Sequence, residues 1–288
     1  MLKELSFRMV WNYLYNFFAV TFRRTGNLKP LFFVLYTNLR CHFQCSYCGF
    51  FQRGDTKNYT DDLNTEDMIK LLRIIRKDAT AIYFTGGEPL FRKDIVEILK
   101  AAKEMGFSSI TINTNMHLID RRMEVLDYLT NLVASYDMSD NPTLQKEKGF
   151  SMTVNCVVTP QTIPQARKVL NFCLGHEIKF AVVPAELEDG QINQELQNSP
   201  EYQELINDLI KAKKKKKRIF GSTAFLKKIR TFERFDCYPT LTPHIYPNGD
   251  LFYPCQPLDT VAANLLKIGN YAKALQIGNK RAWTIANV

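Results

Sequence analysis

Six short apolar runs recur through the middle of the chain, and amphipathic helical patterns separate several of them. The runs are LFFVLY at 31–36, AIYF at 81–84, SITIN at 109–113, LVASY at 132–136, SMTVNCVV at 151–158 and IKFAVV at 178–183. They are rich in β-branched or aromatic residues and have the length of strands. Met68, Leu71, Leu72 and Ile75 share one helical face, after an Asn64–Thr65 cap with acids in the first turn. Ile95, Ile98, Leu99, Ala102 and Met105 do the same, with Gly106 as the stop, and a third helix fits 163–174. This alternation predicts an α/β chain with a parallel sheet, open or closed into a barrel. In such sheets the ligand site lies at the carboxyl ends of the strands.

Both flanks break the rhythm. Residues 1–24 read as an amphipathic helix, with Arg8, Asn12 and Asn16 on one narrow polar strip. Leu5, Met9, Tyr13 and Phe17, with Val10, Leu14 and Phe18, fill a wide apolar face. The span is too polar to cross a bilayer. Either its apolar face packs on the main domain, or it lies in a membrane interface with Trp11 at headgroup level and Arg23 and Arg24 beyond. Near the other end, Pro247-Asn248-Gly249-Asp250 separates short apolar-aromatic runs, as in a β-hairpin with Cys237 and Cys255 at its outer ends. The expected organisation is an N-terminal helix over 1–29, a core over 30–215 and an extension over 216–288.

Composition changes this picture in two places. The 288 residues are 45% hydrophobic, enough to bury a sizeable core. Net charge is +9, and it is concentrated: Lys211 to Arg234 holds eleven Lys/Arg against one acid, Glu233. Such a run is either a solvated linker or an attractive patch for anionic lipid or an acidic redox partner. Without interleaved aromatics it offers nucleic acid only nonspecific affinity, so nucleic acid is disfavoured as a partner. Of seven cysteines, three fall within eight residues, and the N-terminus has no signal-peptide pattern. A metal site in a reducing, cytoplasmic setting is therefore expected, at most associated with a membrane surface.

The three thiols are Cys41, Cys45 and Cys48, on the loop that leaves the first strand. Structural zinc wants four ligands, and the one nearby candidate, His42, abuts Cys41, so the two side chains point to different sides. An iron–sulfur cubane takes one thiolate per iron, so three thiolates leave one iron open for chemistry, which is the better physical reading. Zinc stays as the alternative. TGGEP at 85–89 leaves the second strand at the same end. Two glycines allow a close backbone approach to a ligand, Glu88 adds an acid near a ligand's ammonium group, and Pro89 fixes the exit.

C-x3-C-x2-C paired with GGEP resembles the radical S-adenosylmethionine (SAM) superfamily, over roughly Pro30 to Val183. The resemblance implies a partial (β/α)6 TIM-like barrel, here with an N-terminal amphipathic helix and a small C-terminal β-hairpin extension. It implies that Cys41, Cys45 and Cys48 ligate a [4Fe–4S] cluster whose fourth iron binds S-adenosyl-L-methionine. Tyr47 resembles the aromatic position near the adenine, and Gly86-Gly87-Glu88-Pro89 the segment that receives the SAM amino group. Asn115 is similar to the Asn of the family's TNG turn, with Met116 in place of Gly. Ser135, with Asp137 close by, resembles a fourth-strand SAM contact. Implied too are a flavodoxin- or ferredoxin-like reductant and a radical reaction on a peptide or lipid-like substrate, with an anionic membrane surface as a further candidate partner.

Two features depart from that pattern. Only thirteen residues, 138–150, connect the fourth and fifth strands, close to the minimum for a parallel crossover. That shortness keeps a non-catalytic binding protein on the same scaffold in play. Cys237, Gly249 and Cys255 look like the opening of a twitch/SPASM extension, but no cysteine follows Cys255. No complete auxiliary cluster is expected, and Cys156 and Cys173 read as buried small hydrophobes.

Overall fold

In the computed structural model the described residues are 6–24, 28–58, 60–136, 150–185, 192–234, 238–252 and 261–282. Asp137, Cys237, Cys255 and most of the short segment 138–150 lie outside them.

All six expected strands form. They are β1 (Phe33–Tyr36), β2 (Ala81–Thr85), β3 (Ser109–Thr114), β4 (Asn131–Ser135), β5 (Ser151–Val158) and β6 (Lys179–Pro184). Each pairs in parallel with its sequence neighbour. The short β4–β5 crossover leaves the sheet continuous, because Asn131 through Ser135 register on Ser151 through Asn155. The sheet stays open, with β6 at one edge, as in a partial TIM-like barrel.

Alternation decides which face each side chain takes. Along β5, Met152, Val154, Cys156 and Val158 are buried while Ser151, Thr153, Asn155 and Val157 are less so. The buried set packs under α2 (Thr65–Ile75), α3 (Ile95–Glu104) and α4 (Ile163–Gly175), whose own buried residues are the ones the helical periodicity selects. Asn64 caps α2 by accepting from the Asp67 N–H at 2.9 Å, and Gly106 ends α3 at φ +76°. Cys156 and Cys173 are buried among apolar neighbours, and burial pushes the Cys173 thiol up to about 12.

The C-terminal extension is more than a hairpin. β7 (His244–Ile245) and β8 (Asp250–Phe252) form the expected turn, with Gly249 at φ +85°. β7 also pairs in parallel with β1, and β9 (Val261–Asn264) adds an antiparallel strand, giving a sheet of nine strands among the described residues. The basic run closes the helix α5 (Pro200–Lys214) and leads into α6 (Thr223–Thr231), which is tied back to α5 where Tyr202 Oη donates to Ile229 O at 2.8 Å. The chain ends in α7 (Tyr271–Ala282).

The N-terminal helix α1 (Phe7–Thr21) docks by its polar strip, the reverse of simple amphipathic packing. Asn12 Nδ2 donates to Pro30 O at 2.8 Å and to Asp78 O at 3.1 Å. Asn16 Nδ2 donates to Lys29 O at 2.7 Å, and Asn16 Oδ1 accepts from the Lys29 N–H at 2.8 Å. Of the two readings of this helix, packing of its aromatic face on the domain is set aside. Trp11 is 58% exposed and Phe17 57%, with Phe7, Tyr13 and Phe18 also in solvent. The physical reason is that unpaired carbonyls before β1 and β2 need donors more than the core needs further aromatics. Among the described residues, no helix is long and apolar enough to cross a membrane.

Candidate active site

The cysteine loop and TGGEP are built into one another at the carboxyl ends of β1 and β2. Thr37 N–H donates to Thr85 O at 2.8 Å, Gly87 N–H to Asn38 O at 2.9 Å and Glu88 N–H to Arg40 O at 2.8 Å. The buried Asn38 side chain returns a bond to Glu88 O at 3.0 Å. This contact explains the paired glycines. A Cβ on Gly86 would lie 2.2 Å from Asn38 O, and one on Gly87 2.3 Å from Leu39 O and 2.4 Å from Arg40 O. The close approach is first of all to the chain's own loop.

Glu88 is fully buried, and its carboxylate bonds inward. Oε1 accepts from the Leu90 N–H at 2.9 Å and from Thr114 Oγ1 at 2.7 Å, and Oε2 accepts from the Asn115 N–H at 2.8 Å. Burial pushes this carboxyl up, and the three donors pull against that. Glu88 therefore ties the end of β2 to the end of β3. Pro89 is buried in the turn that follows. Below the loop, the buried Arg92 donates to Thr37 O at 2.9 Å and Leu63 O at 2.7 Å while its Nε donates to Asp94 at 2.7 Å.

Above this frame lies a cavity of about 100 Å³. Cys41, Cys45, Cys48, Tyr47 and Gly87 line one side, with Phe43, and Asn113, Thr114, Asn115 and Ser135 line the other. Of the residues expected from sequence, the structure brings together all three cysteines, Tyr47, Gly87, Asn115 and Ser135. It leaves Gly86, Glu88 and Pro89 beneath them as support. Cys41 Sγ accepts from the Phe43 N–H at 3.4 Å, and Asn115 Nδ2 reaches it at 3.9 Å. Burial, opposed by the Phe43 N–H, pushes the Cys41 thiol up.

Met116 sits at φ +66°, the left-handed conformation for which glycine is the ordinary choice, so the turn after Asn115 keeps its shape without the glycine. His42 lies outside the cavity lining and packs against Phe43, Phe91 and His117, the last with ring centroids 4.5 Å apart. Its burial, with His117 nearby, pushes its pKa down. Among the described residues, no three His, Cys, Asp or Glu side chains are grouped as around a single metal ion.

Asn113 is a lining residue that motif reading missed. Its Oδ1 accepts from Ser135 Oγ at 2.9 Å, joining β3 to β4 inside the cavity. The available signal was a polar residue on the strand face opposite the buried Ile110 and Ile112. Asn38 and Arg92 were missed as well, because their partners are backbone carbonyls distant in sequence.

The model of the radical SAM superfamily matches residues 35–139, which include all of these lining residues. Among solved structures, the chain is similar to Streptococcus suis SuiB bound to S-adenosylmethionine, with a TM-score of 0.58 and 19% identity, over 86% of this chain and 66% of that one. It is also similar to SuiB bound to the precursor peptide SuiA, with a TM-score of 0.61 and 20% identity, over 93% of this chain and 70% of that one. A third similar structure is anSMEcpe with bound AdoMet and the Cp18Cys peptide, with a TM-score of 0.61 and 15% identity, over 90% of this chain and 84% of that one. At these identities the likeness concerns the fold, and the chain spans just under two thirds of the first SuiB structure's length.

Proposed function

We propose that this chain, radical SAM over residues 35–139, is a radical SAM enzyme that modifies a peptide. The observation that carries the reading is a cavity at the strands' carboxyl ends that gathers Cys41, Cys45 and Cys48 with Tyr47, Gly87, Asn115 and Ser135. The donor set fits a [4Fe–4S] cluster, since three thiols surround one space and His42 packs elsewhere. Such a cluster, with SAM bound, would supply reductive cleavage of SAM to methionine and 5′-deoxyadenosine, using one electron from a flavodoxin- or ferredoxin-like reductant and one hydrogen atom from substrate.

The chain's own contribution is binding and orientation. Cys41, Cys45 and Cys48 would hold three irons. Gly87, Asn115 and Ser135 would meet the polar groups of SAM, and Tyr47 its adenine. Glu88 would act one step back, by holding the Asn115 backbone. The fold of the peptide-bound SuiB and anSMEcpe structures supports a peptide substrate over a lipid-like one. So does chemistry, because Thr111, Asn113, Asn131, Thr153 and Asn155 share the strand face opposite the helices. The face also carries Val133 and Val157, and its polar residues offer a peptide hydrogen-bond partners.

Anaerobic reconstitution tests the cofactor assignment. A brown chain with about four irons, lost in Cys45→Ala, is expected. A colourless chain holding zinc overturns it, and iron near eight would overturn the expectation of no auxiliary cluster.

A further inference from the structure

The face of the molecule opposite the cavity combines two features that the reaction does not use. One is α1, anchored through Asn12 and Asn16 to carbonyls just before β1 and β2, with its aromatic face in solvent. The other is the basic turn after α5. Phe180 N–H donates to Arg218 O at 2.9 Å and Phe220 N–H to Phe180 O at 2.8 Å, so residues 218–220 run parallel to the start of β6. Lys215, Lys216 and Lys217 therefore lie beyond the amino end of β6, exposed, beside a Phe220 that is itself 57% exposed.

Because β1 to β6 are parallel members of one sheet, both features sit on the same amino-end rim. Basic residues predominate there, while Glu104, Asp127 and Glu177, shortly before β3, β4 and β6, are exposed acids on the same rim. No acidic residue occurs between Leu5 and Gly54. Asp78, at the foot of α1, faces Arg8, Lys29 and Lys77. Aromatic side chains on one helix face with basic residues around them are the composition of a headgroup-level surface.

We propose that this rim is a docking surface for an anionic lipid bilayer. The aromatic face of α1 enters the headgroup region, and Lys215, Lys216 and Lys217 lie against acidic headgroups. A second copy of the chain fits less well, since the like-charged turns would be brought together. Docked this way, the cavity at the carboxyl ends faces water, so the substrate reaches it from solution.

Co-sedimentation of the full chain with phosphatidylglycerol–phosphatidylcholine vesicles, against phosphatidylcholine alone, tests this independently of SAM chemistry. Binding to the anionic vesicles is expected. Trp11→Ser/Phe17→Ser/Phe18→Ser and, separately, Lys215→Glu/Lys216→Glu/Lys217→Glu should each lower partitioning at least about tenfold. Both sets replace exposed side chains. Absence of binding by the parent chain, equal binding to neutral vesicles, or unchanged binding by either variant overturns the proposal. So does a dimer abolished by the aromatic variant in the absence of vesicles.

Discussion

Glu88 Oε2 accepts a hydrogen bond from the backbone N–H of Asn115 at 2.8 Å, and that bond joins the two loops that face each other across the cavity. Glu88→Ala strands two buried donors, on Leu90 and Thr114, and a partly buried one on Asn115. It is expected to cost about 3 kcal/mol in denaturant unfolding. Glu88→Gln keeps the volume but turns an N–H₂ toward one of those donors. Its unfolding should be affected less than that of the alanine variant, while SAM affinity, read by calorimetry, should still fall.

Gly87 and Gly175 make a matched pair. A methyl group on Gly87 meets the Leu39 and Arg40 carbonyls well inside contact distance, so Gly87→Ala should lower stability by at least about 2 kcal/mol. Nothing lies within 4 Å of a Cβ on Gly175, in the last turn of α4, so Gly175→Ala should be neutral or stabilise by about 0.5 kcal/mol. Thermal melts of the two variants check both outcomes.

Asn16 holds α1 through a two-way bond to Lys29. Asn16→Ala leaves the Lys29 N–H and C=O without that partner and should weaken docking by about 1–2 kcal/mol. Hydrogen exchange should then quicken across residues 7–21 and stay unchanged in β2 and β3.

Burial pushes the His244 imidazole down to about 4 from its ordinary 6.5, with Tyr36 Oη 3.2 Å from Nδ1. The unfolded chain therefore takes up the proton first. Stability from this residue is whole above about pH 6.5 and is lost as pH falls toward 4, by about 2 kcal/mol at pH 5 and about 3 kcal/mol at pH 4. Comparing denaturant unfolding of the parent and His244→Gln at pH 7 and pH 5 isolates the effect, and the variant should show the shallower loss.

Local pattern carried much of this structure, and the exceptions share a cause. The strands and α2 to α4 were legible because alternation and helical period coincide with burial, as in Met152, Val154, Cys156 and Val158. The meeting of the cysteine loop with GGEP at one end of the sheet was legible by spacing. Asn12 and Asn16 misled because their partners are carbonyls at Lys29, Pro30 and Asp78, which no helical period reveals. The paired glycines were read as room for a ligand, yet the atoms nearest their missing Cβ positions belong to Asn38, Leu39 and Arg40. Asn113 and β9 went unread because a polar strand residue and a four-residue edge strand look like ordinary loop neighbours until the sheet assembles.

On the function proposed above, Cys41, Cys45 and Cys48 surround a site for reductive cleavage of SAM. The most direct test is SAM turnover by the anaerobically reconstituted chain under dithionite, with 5′-deoxyadenosine and methionine quantified together. The account predicts both products in equal amounts from the parent chain and neither from Cys41→Ala, Cys45→Ala or Cys48→Ala. A parent chain that holds its iron but releases no 5′-deoxyadenosine, or a cysteine variant that still forms it, would contradict the account.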